Sequence, residues 1–183
     1  MTHHRRRPLT HRIRPATQQD APALAGVQRA SWQAAFRGLL PDEYLDGLDH
    51  EALTKTWEGL LTRFGGPRAG TLIAEQADHV VGYSRFYPTD DEDDDSTQVG
   101  MIGSLYTPPD VWGTGVGKGL ITAVLDAMTA AGYAEATLWV LEGNTRARAF
   151  YERNGWHHDG AVVVDRSDVL PITKLRYRKN LNR

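Results

Sequence analysis

The chain has 183 residues, and its 40% hydrophobic and 24% charged residues are typical of one globular domain with a core of its own. It contains no cysteine, which excludes disulfides, thiolate metal sites and a cysteine nucleophile. The net charge of −2 does not indicate a nucleic-acid partner, and no apolar run approaches the roughly 18 residues of a membrane span, so we expect a cytoplasmic protein without a membrane partner.

The first twelve residues are rich in His and Arg and precede no apolar stretch, which argues against a secretory signal peptide. Their composition favours a disordered tail, with a nucleic-acid or membrane-binding arm as the alternative. We therefore expect a tail over residues 1–12 and a single domain over residues 13–183.

Hydrophobic periodicity and turn residues predict an order of elements that mixes strands and helices. The predicted elements are a short strand at 13–15, helices from about 22, around 42–45 and around 53–61, strands at 71–75, 80–86 and 98–106, a helix at 115–131, a strand at 136–141, a helix at 144–154, and strands at 162–164 and 172–177. The acidic run at 90–95 is expected to be a solvated loop. This order predicts an α/β (α+β) fold with helices packed on a mixed sheet.

A glycine-rich segment, Trp-Gly-Thr-Gly-Val-Gly-Lys-Gly at 112–119, connects a predicted strand to a predicted helix. Its glycines permit left-handed backbone and close approach of a ligand. The free amides at the helix start form an anion cradle that suits a pyrophosphate. The spacing fits neither a Walker loop nor a Rossmann fingerprint. A purely structural turn remains the alternative from the loop alone.

Three segments flank this loop: IGSLYTPPD at 102–110, LWVLEGN at 138–144 and ARAFYERNGW at 147–156. Together with the loop they resemble the GNAT superfamily of N-acetyltransferases, and the resemblance extends from about residue 13 to residue 177. It implies a mostly antiparallel sheet of about six to seven strands, with splayed central strands and about four to five flanking helices. It also implies an acetyltransferase that uses acetyl-CoA as co-substrate and contains no metal.

The resemblance also implies roles for particular residues. Gly115 and Gly117 match the phosphate loop of the family, whereas Trp112 stands where relatives have Arg or Gln. Tyr151 matches the tyrosine that faces the leaving thiolate, and a phenol with a pKa of about 10 is able to protonate that thiolate as a general acid. The residues implied to bind the cofactor are Leu105, Tyr106, Trp112, Gly113, Thr114, Gly115, Val116, Gly117, Lys118, Asn144 and Tyr151.

The base and the acceptor pocket are less clearly marked. The strand that leads into the loop has no carboxylate at 100–103, so Glu142 is the first candidate base, with a surface carboxylate as the alternative. The weaker candidates are Glu75, Asp110 and His157. In the implied fold the first two helices build the acceptor pocket, which would place Trp32, Phe36 and Tyr44 around a small-molecule amine; core packing explains Trp32 equally well. The alternatives are a catalytically silent CoA-binding protein, or acetylation of a protein N-terminus or lysine; a homodimer is left open.

Overall fold

The computed structural model describes residues 10–166 and 170–182, and its strands form one seven-stranded sheet. The strands are β1 (Arg12–Pro15), β2 (Gly70–Gln76), β3 (His79–Pro88), β4 (Val99–Tyr106), β5 (Glu135–Leu141), β6 (His157–Asp165) and β7 (Ile172–Asn180). Their order is β1-β2-β3-β4-β5-β7-β6, and only the β4–β5 pair is parallel. The predicted mixed, mostly antiparallel sheet is therefore confirmed. Residues 1–9 of the predicted tail lie outside the described residues, and β1 already begins at Arg12.

The helices cover both faces of the sheet. They are α1 (Ala21–Ala35), α2 (Asp42–Asp46), α3 (His50–Arg63), α4 (Val116–Ala130) and α5 (Thr145–Arg153). Successive residues of a strand point to opposite faces; accordingly Ile73 packs with α1 and α3, while Leu72 and Ala74 pack against α4. Among the described residues, no helix has the length and apolar character needed to cross a bilayer.

The sequence predicts that β6 begins at residue 162, five residues after its observed start. The strand already begins at His157, but its register with β7 shifts between His158 and Val162. Gly160 lies in this irregular segment with a φ of +97°. A bulge interrupts the alternation of apolar and polar residues, so the polar sequence before Val162 reads as a turn. The third helix is also longer than predicted, because Asp49 caps it by accepting a hydrogen bond from the Ala52 amide at 2.7 Å.

The expectation of a solvated acidic loop is wrong for Asp91 and Asp94, which are largely shielded against arginines of β7; Asp93 also pairs with an arginine but stays exposed. The ion pairs are Arg176 with Asp91 (3.1 Å), Asp93 (2.7 Å) and Asp159 (2.7 Å), and Arg178 with Asp94 (2.8 Å). The Arg176 side chain is only 7% exposed, and its hydrogen bonds hold the pKa of Asp93 below the ordinary value. We call this set the arginine network. The prediction failed because the arginines are some 80 residues away in the sequence.

Candidate functional site

The two central strands β4 and β5 run side by side only at their first residues. Residues 99–101 pair with residues 135–137, and the strands separate beyond that point. A cleft of about 500 Å³ opens between them, lined by residues 102–106 of β4 and 138–141 of β5. The predicted splay of the central strands is therefore confirmed, and Leu105 and Tyr106 lie on the wall of the gap.

The glycine loop closes one end of this cleft. Gly113 and Gly115 have φ values of +74° and +95°, in the left-handed region that favours glycine, and Gly115 is the N-cap of α4. Five backbone amides of the loop donate no hydrogen bond to any residue in the described part of the chain. They belong to Gly113, Gly115, Val116, Gly117 and Lys118. Unpaired amides at a helix start attract an anion.

Not every residue predicted in the loop faces the cleft. Gly113, Gly115, Gly117 and Lys118 line it. The side chain of Val116 is instead fully buried in the core beneath α4, and the Thr114 hydroxyl donates to the Val111 carbonyl at 2.6 Å. These two side chains therefore shape the loop, and only their backbone amides remain as candidates for ligand contact.

Trp112 fixes the position of an arginine that the sequence analysis did not consider. Its indole Nε1 donates to the Thr107 carbonyl at 2.8 Å, and the Arg146 guanidinium lies 3.4 Å above its ring centroid. Arg146 lines the cleft from the first turn of α5 and has no salt bridge with a carboxylate of residues 10–166 or 170–182. Partial burial lowers its pKa from the ordinary arginine value. A cation–π contact of this kind holds the charge in place without neutralising it.

Tyr151 lies in the middle of the cleft wall, on α5. It is 8% exposed and packs edge-on against Phe150 and Trp156. Burial and the nearby Tyr106 raise the pKa of Tyr151 above the ordinary value, and Arg146 opposes them only in part. The phenol is therefore protonated at neutral pH, the state that a proton donor requires.

Asn144 has a local structural role beside its predicted one. Its side-chain oxygen accepts a hydrogen bond from the Ala147 amide at 3.2 Å and caps α5. The residue also lines the cleft, and its Nδ2 forms no hydrogen bond with another described residue. Asparagine is a preferred cap, so the same side chain both starts the helix and leaves a donor for a ligand.

Part of the cleft wall is aromatic. Phe36 and Tyr106 line the cleft, and Trp32 packs edge-on against both of these rings. Trp32 does not line the cleft itself and thus supports these two rings. Tyr44 does not reach the cleft: it is 37% exposed and lines a separate shallow pocket between α2 and α3. The structure therefore brings Phe36 to the cleft, with Trp32 behind it, but not Tyr44.

The candidate bases lie elsewhere. Glu142 is exposed and does not line the cleft; its backbone carbonyl accepts a hydrogen bond from Arg148 at 3.0 Å. Glu75 forms an ion pair with Arg14 at 2.6 Å, and neither Asp110 nor His157 lines the cleft. Among the described residues, those lining the cleft include no Asp, Glu or His. The structure thus does not bring Glu142 to the predicted acid Tyr151.

Comparison with known proteins identifies the family. The model of the acetyltransferase (GNAT) family matches residues 30–156, which is more than half of the chain. The chain belongs to the GNAT acetyltransferase family. A protein named as a probable N-acetyltransferase of Mycobacterium tuberculosis is 31% identical over 160 residues, which are 86% of this chain and 86% of that protein. The predicted enzyme class, an N-acetyltransferase, is therefore confirmed.

Solved structures of GNAT proteins have the same fold. The PaiA N-acetyltransferase of Thermoplasma acidophilum, solved with coenzyme A, aligns with a TM-score of 0.68 and 20% identity over 93% of this chain and 99% of that chain. The YncA acetyltransferase of Salmonella typhimurium, solved with acetyl-CoA, aligns with a TM-score of 0.69 and 17% identity over 95% of both chains. At these identities the likeness supports the fold.

Proposed function

We propose that this GNAT acetyltransferase transfers the acetyl group of acetyl-CoA to the amine of a small molecule by direct attack in a ternary complex. The observation that carries the proposal is a single cleft with unpaired backbone amides in its glycine loop and a buried tyrosine in its wall, and burial raises the pKa of that tyrosine. The first feature suits the pyrophosphate of the cofactor and the second suits the thiolate that leaves it. The cytoplasmic location and the homodimer stay predictions.

The phosphates of acetyl-CoA would lie against the glycine loop. The unpaired amides from Gly113 to Lys118 supply hydrogen bonds, and the N-terminus of α4 adds its dipole. Arg146, held over Trp112, would supply a positive charge beside the loop, at the position where relatives have Arg or Gln. In this chain the loop and α5 would share the phosphate-binding role.

The acyl transfer would take place in the gap between β4 and β5. The amine nitrogen bonds to the thioester carbonyl carbon, and the carbonyl oxygen gains negative charge that the Leu105 or Tyr106 backbone amide stabilises. The carbon–sulfur bond then breaks, and Tyr151 donates its proton to the departing thiolate. The proton released by the attacking nitrogen returns to the phenolate through solvent. The products are an N-acetyl amide and free CoA, with every proton accounted for.

The test is calorimetric titration of the full chain with acetyl-CoA and with CoA, followed by measurement of thiol release with a panel of amines. We expect saturable binding of both ligands and amine-dependent thiol release. Absence of binding would overturn the cofactor assignment, and binding without release from any amine would overturn the transfer reaction.

A further inference from the structure

The side chains that line the cleft have a one-sided charge. Within the described part of the chain, the charged residues of the cleft are all cationic: Lys118 on α4, and Arg146 and Arg153 on α5. The other titratable groups on its walls are the phenols of Tyr106 and Tyr151, and burial raises the pKa of Tyr106 to about 12 and that of Tyr151 further above its ordinary value. Both phenols keep their protons over the physiological range and cannot accept one from an ammonium ion.

A carboxylate just behind the wall does not change this picture. Asp91 accepts hydrogen bonds from the indole of the cleft-lining Trp139, at 3.1 Å from each of its oxygens. The same carboxylate also pairs with the buried Arg176. Its oxygens are therefore occupied by the indole and the arginine network, and Asp91 itself does not line the cleft.

An amine must be neutral before it attacks a thioester. Without a base on the walls, it must lose its proton to water before or while it enters the cleft, so the reactive fraction depends on the amine's own pKa. At pH 7.5 roughly a third of a peptide α-amine is neutral but only about 0.1% of a lysine ε-amine, from pKa values of about 7.8 and 10.4. A second ammonium group on the acceptor would also lack a counter-charge, and burying it unpaired is costly.

We infer that the acceptor of this enzyme is an amine of low basicity that carries no second positive charge, such as a peptide α-amine, and that the acceptor itself loses its proton without help from an enzyme base. The inference rests on the proposed function and specifies its substrate class. The inference excludes lysine side chains and polyamines as acceptors, because their amines are almost fully protonated in water near neutral pH.

The experiment compares two acceptors of similar size, alanyl-alanine amide and Nα-acetyl-lysine amide, in kcat/KM profiles of thiol release from pH 6.5 to 9.5. Spontaneous thioester cleavage is subtracted, and circular dichroism checks the fold at each pH. We expect kcat/KM for the α-amine to level off above about pH 8, while that for the ε-amine rises about tenfold per pH unit throughout. At pH 7.5 we expect kcat/KM to favour the α-amine by at least about 10-fold, because more of it is neutral. The preference is smaller than the difference in neutral fraction, because the more basic amine is the better nucleophile.

The alternatives give different profiles. If both acceptors level off at one shared pH, an enzyme group removes the proton and the inference is wrong, while the acetyltransferase function stands. Preference for spermidine over the α-amine at pH 7.5 would overturn it in the same way. Thiol release from neither acceptor, while other amines of the panel support release, would overturn this inference and leave the transfer function standing.

Discussion

The arginine network and the cleft are both rich in polar groups, but they differ in how those groups are paired. In the network, the Arg176 guanidinium meets three carboxylates at 2.7–3.1 Å. In the cleft, the loop amides and the Arg146 guanidinium have no hydrogen-bond acceptor within the described residues. The buried Ser104 hydroxyl has no hydrogen-bond partner among them either. An unpaired polar group costs about 1–3 kcal/mol when it is buried.

The difference indicates which region is structural and which is functional. A network whose charges satisfy one another joins the acidic loop to β7 and gains nothing from a ligand. Groups left unpaired are tolerated where a ligand completes them, and the loop glycines, Arg146 and Ser104 all line one cleft. The comparison predicts that substitutions in the network lower stability alone, whereas substitutions in the cleft lower binding or turnover alone.

The largest effect is expected for Gly117→Glu in the phosphate loop. A carboxylate at this position would occupy the space of the pyrophosphate and repel it, and like charges in contact cost several kcal/mol, so we expect the Kd for acetyl-CoA to rise about 10³-fold. Calorimetry measures the change. Gly117→Ala is the matched control, because a Cβ there would meet only the Phe150 ring at an ordinary 3.7 Å. Normal cofactor binding by the Glu variant would refute the assignment of the loop.

Arg176→Met should change stability and leave catalysis intact. It removes a partner of four carboxylates, and loss of one partner of a buried ion pair costs about 3 kcal/mol or more. Urea unfolding measures the loss. Lys174→Met on the same strand is the control: its ion pair with Asp165 is about one-third exposed, so the expected cost is below about 1 kcal/mol. A fall in kcat/KM without a loss of stability would contradict the structural role of the network.

Tyr151→Phe should lower kcat by about 10²-fold and leave the Kd for acetyl-CoA unchanged, because only the proton donor is removed. Tyr177→Phe is the control. Tyr177 belongs to the same buried cluster, but its hydroxyl donates to Glu152 at 2.8 Å and does not line the cleft. Equal losses of kcat in the two variants would mean that the effect comes from packing and not from proton transfer.

These two regions also differ in how far the sequence predicts them. The order of strands and helices and the glycine loop follow from local patterns: period, caps and turn residues. The position of Tyr151 follows from the resemblance of the segment 147–156 to the GNAT family. The arginine network follows from neither, because Asp91 and Arg176 lie 85 residues apart and nothing local links them. The bulge at Gly160 hid the start of β6 for a related reason, since it breaks the alternation on which strand prediction depends.

Within the cleft the same limit applies. Sequence position suggested Glu142 as a base and Tyr44 as a pocket residue, yet the direction of a side chain at the end of a strand or on a short helix depends on tertiary packing. Arg146 was missed although a signal was present. The signal is a tryptophan where relatives have Arg or Gln, and Arg146, which lies over that tryptophan, follows the helix cap Asn144 by two residues.

Arg146→Ala should have the smallest effect in the cleft, about a 10-fold rise in the Kd for acetyl-CoA with kcat little changed, because the removed charge would contact phosphates that do not react. Acetyl-pantetheine, which has no phosphates, provides the internal control: its kcat/KM should be the same in the variant and the parent. Titration of CoA against the same pair of proteins repeats the measurement without the acetyl group. An equal loss with acetyl-pantetheine would mean that Arg146 acts through Tyr151 or α5, and the unpaired charge would then not mark the phosphate site.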